Sequence, residues 1–157
     1  MDTVTPEQRS ALMRRIRSRN TAPELAVRSI LHRLGYRFRL HRKDLPGRPD
    51  IVLPRHRKVV LVHGCFWHGH DCSLGSKPKS NKEYWTPKLQ GNRLRDERNR
   101  LALIEAGWKP LQLWECEIRY QKNLESRVAV FMRQEPQPIP CKSRRRNGQK
   151  RGERQLR

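Results

Sequence analysis

Pro49-Asp50-Ile51-Val52-Leu53-Pro54-Arg55-His56-Arg57-Lys58-Val59-Val60-Leu61-Val62-His63 is the stretch on which the fold turns. After Asp50 the chain is apolar through Leu53, and Lys58 to Val62 has the character of a buried strand. Pro54 to Arg57 is short enough to be the hairpin turn between them. Upstream, Tyr36 to Leu40 alternates and reads as a further strand. Before it, Thr21 to Glu24 carries an N-cap, a Pro in the first turn and a capping-box Glu. Val27, Ile30, Leu31 and Leu34 then fall at i, i+3, i+4 and i+7, and Gly35 ends a helix. Thr5-Pro6-Glu7-Gln8 repeats the start signal for a basic helix running to about Arg19.

Downstream, the stretch from Gly64 to about Lys79 is rich in Gly, His, Cys and Ser and reads as loop. A long helix is expected over roughly Asn81 to Ala106, with breaks near Pro87 and Gly91 and Gly107 as its stop. Trp108 to Glu115 reads as a fourth strand, in which Pro110 demands an edge or a bulge. A last amphipathic helix carries Leu124, Val128 and Phe131. The order is helix, helix, three strands, helix, strand, helix, which predicts a mixed α/β domain with helices on both sides of a sheet. The expected organisation is a basic N-terminal helix in residues 1–20, a main domain over 21–133, and a basic tail in 134–157. After Pro140 the tail is poor in apolar residues and is expected to be disordered.

The 157 residues carry 36 Lys and Arg against 15 Asp and Glu, a formal net charge of +21. Self-repulsion of that size points to an anionic partner. Nucleic acid is favoured, because neutralised phosphates release counterions and dominate affinity. An anionic membrane is the rival, but no stretch approaches the roughly 20 apolar residues of a spanning helix, and the N-terminus lacks a signal-peptide apolar region. An intracellular, soluble protein is expected, in which cysteines near histidines read as metal ligands rather than disulfides.

The densest chemistry lies in His63-Gly64-Cys65-Phe66-Trp67-His68-Gly69-His70-Asp71-Cys72. Cys65, His70 and Cys72 are three zinc donors, and Cys116 follows the fourth strand. A Cys3His set closes a tetrahedron around structural Zn²⁺ with no open position. Cys141 competes with Cys116, from a tail expected to be disordered. His63 and His68 are then left over as acid or base groups near neutral pH. Asp50 stands on the neighbouring strand, and its hard oxygen suits Mg²⁺ as a catalytic ion. Glu24 already has a structural role as the capping-box acid, so any catalytic role must be additional. Phe66, Trp67 and Trp85 are either core residues or outward-facing rings that stack on bases. Met13 and Ile16 pose the same choice on a helix carrying Arg14, Arg15 and Arg17.

Taken together, these motifs resemble the very short patch repair (Vsr) endonucleases, bacterial enzymes that nick DNA at T·G mismatches. Leu45-Pro46-Gly47-Arg48-Pro49-Asp50 looks like the family's first active-site strand, His63 to His68 like its signature, and Trp114-Glu115-Cys116 like its late zinc half-site. The similarity covers about Glu7 to Phe131. It implies a restriction-endonuclease-like fold, with a mixed sheet flanked by helices and a structural zinc site. It implies that Asp50 and the main-chain carbonyl of Val62 hold Mg²⁺, where the family usually has Thr at position 62. His68 is implied as the base, with His63 assisting at the scissile phosphate and Glu24 supporting the site. The implied zinc ligands are Cys65, His70, Cys72 and Cys116. Position 69 is Gly rather than the His often found there. Phe66, Trp67 and Trp85 are implied to intercalate from one groove, with Met13 and Ile16 approaching from the other.

The function so implied is a nick 5′ to the mismatched T, where 5-methylcytosine has deaminated. The partner is double-stranded DNA, with mismatch-repair and short-patch repair proteins following. The enzyme would act as a monomer in the bacterial cytoplasm, at the nucleoid. Two other readings compete: a restriction-type nuclease without mismatch preference, and a zinc-bearing nucleic-acid-binding module without catalysis.

Overall fold

The computed structural model describes residues 5, 7, 8, 11, 19–75, 78 and 81–135. Met13, Arg14, Arg15, Ile16, Cys141 and the tail beyond Glu135 lie outside them. Of the first basic helix, Glu7, Gln8 and Ala11 are helical. Its start follows the capping rule, since Gln8 N–H donates to Thr5 Oγ1 and Thr5 N–H to Gln8 Oε1.

The first fully described helix, α1, spans Ala22–Arg33 and is capped by Thr21. Gly35, at φ +82°, lets Gly35 N–H reach His32 O and Tyr36 N–H reach Leu31 O, closing the last turn. Strand β1 is only Arg39–Leu40, shorter than the alternation from Tyr36 predicts. Strand β2 (Ile51–Leu53) and strand β3 (Lys58–His63) are joined by a 3₁₀ turn at Pro54–His56. Arg57 follows that turn in the left-handed conformation. Helix α2 covers Lys82–Glu105 without interruption, so the breaks expected at Pro87 and Gly91 do not occur. Pro87 falls in the second turn, where its ring forfeits only one bond near the helix start, and a Cβ at Gly91 would meet open space.

Strand β4 is Lys109–Trp114. Glu115 does not extend it: residues Glu115–Tyr120 form a short helix, α3, that the sequence reading missed. Glu117 begins that helix by accepting from Trp114 N–H. Helix α4, Leu124–Arg133, is the expected last amphipathic helix.

The four strands form one mixed sheet in the order β1-β2-β3-β4. The first two pairings are antiparallel, with Ile51 opposite Val60. β3 and β4 are parallel, with His63 beside Trp114. β4 is an outer strand, which is how Pro110 is tolerated. Side-chain alternation splits the core into two layers. Ile51, Leu53, Val60 and Leu113 pack against Val27, Ile30 and Leu31 of α1 and Leu124, Val128 and Phe131 of α4. Val52, Val59 and Leu61 face the other way, against Leu103 of α2 and Trp108. Helices therefore cover both faces, as the element order requires. Among the described residues, no helix is long and apolar enough to cross a membrane.

A buried charge stands at the start of β3. Lys58 is fully buried, and its Nζ donates to the carbonyls of Phe131, Met132 and Gln134 at 2.9, 2.7 and 2.6 Å. The orphan carbonyls ending α4 are satisfied from inside the sheet.

Candidate active site

The hairpin and the parallel pairing bring the reactive groups to one cleft of about 970 Å³, lined by Glu24, Asp50, His63, His68 and Asp96 among others. Asp50 stands just before β2, and its Oδ2 accepts from Val62 N–H on β3 at 2.7 Å. Burial pushes the Asp50 carboxyl up to about 6, with the Glu24 charge adding to it and the Val62 bond opposing it. A desolvated carboxylate of this kind attracts a compensating cation.

His63 ends β3. A tight turn follows, in which His68 N–H donates to Gly64 O and His70 N–H to Cys65 O. The turn folds the chain back so that the His68 ring stacks on His63, centroids 4.1 Å apart and planes 10° apart. Gly69 allows this return at φ +61°. Its position against the Arg93 guanidinium also leaves little room for a side chain.

The two imidazoles differ electrically. Burial, reinforced by His68, pushes His63 down to about 4, so it is neutral at physiological pH. Its buried Nδ1 has no hydrogen-bond partner among the described residues. His68 Nδ1 instead pairs with a carboxylate oxygen of Asp96. The planes of the stacked rings are nearly parallel, so their in-plane lone pairs do not converge on a point. His63, His68 and Asp96 are close enough to be considered as an ion site, but this geometry suits proton transfer better than metal ligation.

Asp96 was not singled out from the sequence. It sits on α2 with Asn92 and Arg93, which also grip the loop: Asn92 Nδ2 donates to Trp67 O and Arg93 Nε to His68 O. Their i, i+1, i+4 spacing marks one helix face. In a run of alternating charges that face is indistinguishable from a solvated one.

On the other wall, Glu24 is 3 % exposed. It does more than close a capping box. Its Oε1 accepts from Thr21 Oγ1, and its Oε2 accepts from Asn20 N–H and from Arg28. His41, also missed from the sequence, stands between Glu24 and Asp50 at 3.6 and 3.9 Å.

The Cys/His cluster is assembled as the spacing suggests. Ligand atoms of Cys65, His70, Cys72 and Cys116 all lie within 4.8 Å of one another. Cys116 N–H reaches Cys65 Sγ, and its own sulfur lies 3.5 Å from His70 Nδ1. Burial pushes the Cys65 thiol up to about 12. At Cys72 burial also opposes ionisation, but hydrogen bonds from His70, Cys65 and the Gly75 and Leu74 amides bring it down to about 7. The donor set and its compactness fit a closed tetrahedral ion site. Next to it, Phe66, Trp67 and Trp85 form a half-buried cluster outside both core layers, with ring centroids 5.2 to 6.1 Å apart. Tyr84, half exposed, extends the cluster at 5.2 Å from Trp85.

A mixed sheet that presents a carboxylate and a paired histidine in an open cleft of a strongly basic chain holds the groups that hydrolysis of a nucleic-acid phosphodiester uses. A sequence profile described as "DNA mismatch endonuclease Vsr" matches residues 1–74. A type II nicking enzyme of Xanthomonas oryzae pv. oryzae, V.XorIIP, is 56 % identical over 127 residues, covering 81 % of this chain and 93 % of its own. The type II nicking enzyme V.NmeAIP of Neisseria meningitidis is 40 % identical over 133 residues, covering 85 % and 95 %. The DNA mismatch endonuclease Vsr of Escherichia coli is 43 % identical over 116 residues, covering 74 % of each. The chain belongs to the Vsr family of DNA endonucleases. It is therefore an enzyme that cleaves DNA, and the reading as a non-catalytic binding module is set aside.

Proposed function

We propose that this endonuclease nicks duplex DNA on the 5′ side of the T in a T·G mismatch, with Mg²⁺, and so starts very short patch repair of deaminated 5-methylcytosine. The observation that carries this reading is the meeting of Asp50, His63, His68 and Asp96 in one cleft beside the Phe66, Trp67 and Trp85 rings. A T·G wobble pair stacks less well than its neighbours, so apolar wedges enter there at least cost. Discrimination would come from deformability and base-edge contacts rather than from the lysines and arginines.

Asp50 and the main-chain carbonyl of Val62 would hold the Mg²⁺, whose chemistry is to neutralise charge developing on the phosphate. Asp96 holds the His68 ring through Nδ1, which leaves Nε2 to take a proton from the attacking water. Asp96 also stabilises the imidazolium that forms. His63, held neutral, contacts the scissile phosphate without competing for that proton. Glu24 supports the wall of the site, with both of its oxygens hydrogen-bonded. Zn²⁺ at Cys65, His70, Cys72 and Cys116 would fix the loop that carries His68 and the aromatic wedge.

Residues 1–20 would form a DNA-contacting helix, with Met13 and Ile16 entering the groove opposite the aromatic wedge and Arg14 and Arg15 on phosphates. Residues 134–157 would serve as a nonspecific tether. The enzyme acts as a monomer in the cytoplasm at the nucleoid, upstream of mismatch-repair and short-patch repair proteins.

A nicking assay on a labelled T·G duplex and its C·G twin, with Mg²⁺, tests the reading. Cleavage of only the T strand of the mismatch, abolished in Asp50→Ala, is the expected result. Equal cutting of both duplexes would instead make this a restriction-type nuclease without mismatch preference.

A further inference from the structure

The lining of the cleft is more acidic than the chain that carries it. Glu24, Asp50, Asp96 and Glu115 stand there against two arginines, Arg48 and Arg119, although the whole chain has a net charge of +21. A DNA strand seated in the cleft brings further negative charge, so a cation at its wall marks where a phosphate can be held. Arg119 is such a cation, and neither the fold nor the nicking chemistry has given it a role.

Arg119 lies on α3, three residues after Cys116. That short helix is tied down on two sides. Cys116 N–H reaches Cys65 Sγ, and Glu117 accepts from Trp114 N–H at 2.9 Å and from Arg127 at 2.6 Å. The backbone beneath Arg119 is therefore anchored to the Cys/His cluster, to β4 and to α4, while its side chain is 51 % exposed. Its guanidinium has one partner among the described residues, Glu115 Oε1 at 2.7 Å.

Stability does not need this pair, because an exposed i,i+4 ion pair contributes little. Its position is more informative. The Glu115 carboxylate rests against Gly64, with Oε2 3.7 Å from the place a Cβ would occupy there. Gly64 follows His63, so Glu115 holds the guanidinium beside the stacked histidines. One carboxylate oxygen leaves most of the five guanidinium N–H donors free, in a fork that matches two oxygens of a phosphate.

We propose that Arg119 is a phosphate-binding residue of the cleft: when DNA enters, its guanidinium leaves Glu115 for the phosphate next to the scissile one on the cleaved strand. Glu115 is the anion that keeps the guanidinium in place until then. The scissile phosphate belongs at His68. Glu115 already occupies the ground against Gly64, and Arg119 lies at the far end of the ion pair, so the phosphate it reaches is a neighbour of the scissile one. The inference rests on the reading of this cleft as the seat of the scissile phosphodiester.

The test is a set of T·G duplexes, each with a single methylphosphonate, an uncharged linkage, at one position flanking the nick on the cleaved strand. Affinity is measured in chelator and nicking with Mg²⁺, on the full-length protein. Wild type should lose about tenfold in affinity at one linkage adjacent to the nick, as expected for a charge-assisted bond. Arg119→Met, which keeps the apolar stem, should bind the unmodified duplex about tenfold more weakly. Its salt slope should fall by about 1, and the methylphosphonate at that linkage should cost it nothing more. Arg119→Lys should regain part of the affinity. Glu115→Gln, which releases Arg119, should bind more tightly than wild type, and that gain should vanish when Arg119→Met is added. Equal binding of the unmodified duplex by Arg119→Met and wild type overturns the proposal. So does an Arg119→Met that stays as sensitive as wild type to every methylphosphonate, since the charge then acts through no single phosphate. His68→Ala separates the proposal from the reading beneath it, and should stop nicking while keeping the wild-type methylphosphonate pattern. Undiminished nicking by His68→Ala would put the chemistry outside this cleft, a failure distinct from a wrong phosphate contact.

Discussion

The imidazole of His70 lies face to face on the indole of Trp114, centroids 4.2 Å apart and planes 13° apart. The same indole meets the His63 ring nearly at right angles at 5.3 Å. One side chain at the end of β4 thus touches both the Cys/His cluster and the stacked histidine pair, and the two centres share a wall. Trp114→Ala should lose about 2 kcal/mol, below the range for a fully buried Trp. It should also lower bound zinc and kcat together, with KM for DNA little changed. Trp114→Phe, which retains a stacking face, should recover most of both. Metal analysis beside single-turnover nicking checks this, and full activity in a zinc-depleted Trp114→Ala would uncouple the centres.

Gly75 closes the same loop by close approach. A Cβ there would stand 1.9 Å from His70 O and 3.2 Å from Cys65 O, both backbone atoms that cannot swing away. Gly75→Ala must therefore spread the cluster, at a cost at or above about 1–3 kcal/mol. The expected result is less than one zinc per chain and a lower Tm. An unchanged melt with full zinc would show that the loop is looser than its packing implies.

Much of this architecture was legible in the residues. The Thr21 cap and Gly35 stop bracket α1 because both act through local hydrogen bonds. The β2–β3 hairpin and the spacing of Cys65, His70 and Cys72 were equally local. What escaped is what tertiary contact creates. Asp96 lies in Arg93-Leu94-Arg95-Asp96-Glu97-Arg98, where a carboxylate among arginines looks like an ordinary solvated face; only the docking of α2 across the loop turns it toward His68. Arg28 and His41 are far apart in sequence, and Glu24 unites them. Lys58, a charge opening a strand, carried no sign that α4 would end on top of it.

Asp50 should destabilise the metal-free protein at neutral pH. Its folded value, about 6, is above the ordinary 3.8, chiefly through burial. The folded state therefore prefers the neutral acid, and stability falls as pH rises from about 4 to about 6, staying low above that. In chelator, Asp50→Asn should remove this penalty and raise neutral-pH stability by about 1–3 kcal/mol. The gain should vanish below about pH 4, where both proteins carry a neutral group. Thermal melts from pH 4 to 8 check it, and a mutant less stable than wild type at pH 7 would contradict it. Mg²⁺ should stabilise wild type and not the mutant.

Lys58→Met should be strongly destabilising although it removes a buried charge. The three carbonyls at the end of α4 would lose their donor, and stranding buried acceptors costs about 1–3 kcal/mol each. The apolar methionine returns part of that, so a net loss of about 2–4 kcal/mol is expected by denaturant titration. Nicking by the folded fraction should be normal, because Lys58 is remote from the cleft.

Asp96→Asn tests the assignment of His68 as base. The carboxylate pairs with His68 Nδ1, which fixes the ring and its tautomer. An amide of nearly the same shape keeps the packing but withdraws the charge, and it can present its NH₂ group to Nδ1 and so select the wrong tautomer. DNA binding and zinc content should be unchanged, whereas kcat should fall by about 10²- to 10⁴-fold, the range for a lost general base. His63→Gln makes the control. With His63 already neutral, its replacement should lower the rate by a smaller factor than Asp96→Asn does. If Asp96→Asn nicks at the wild-type rate and His63→Gln loses the larger factor, the roles of the two histidines are reversed.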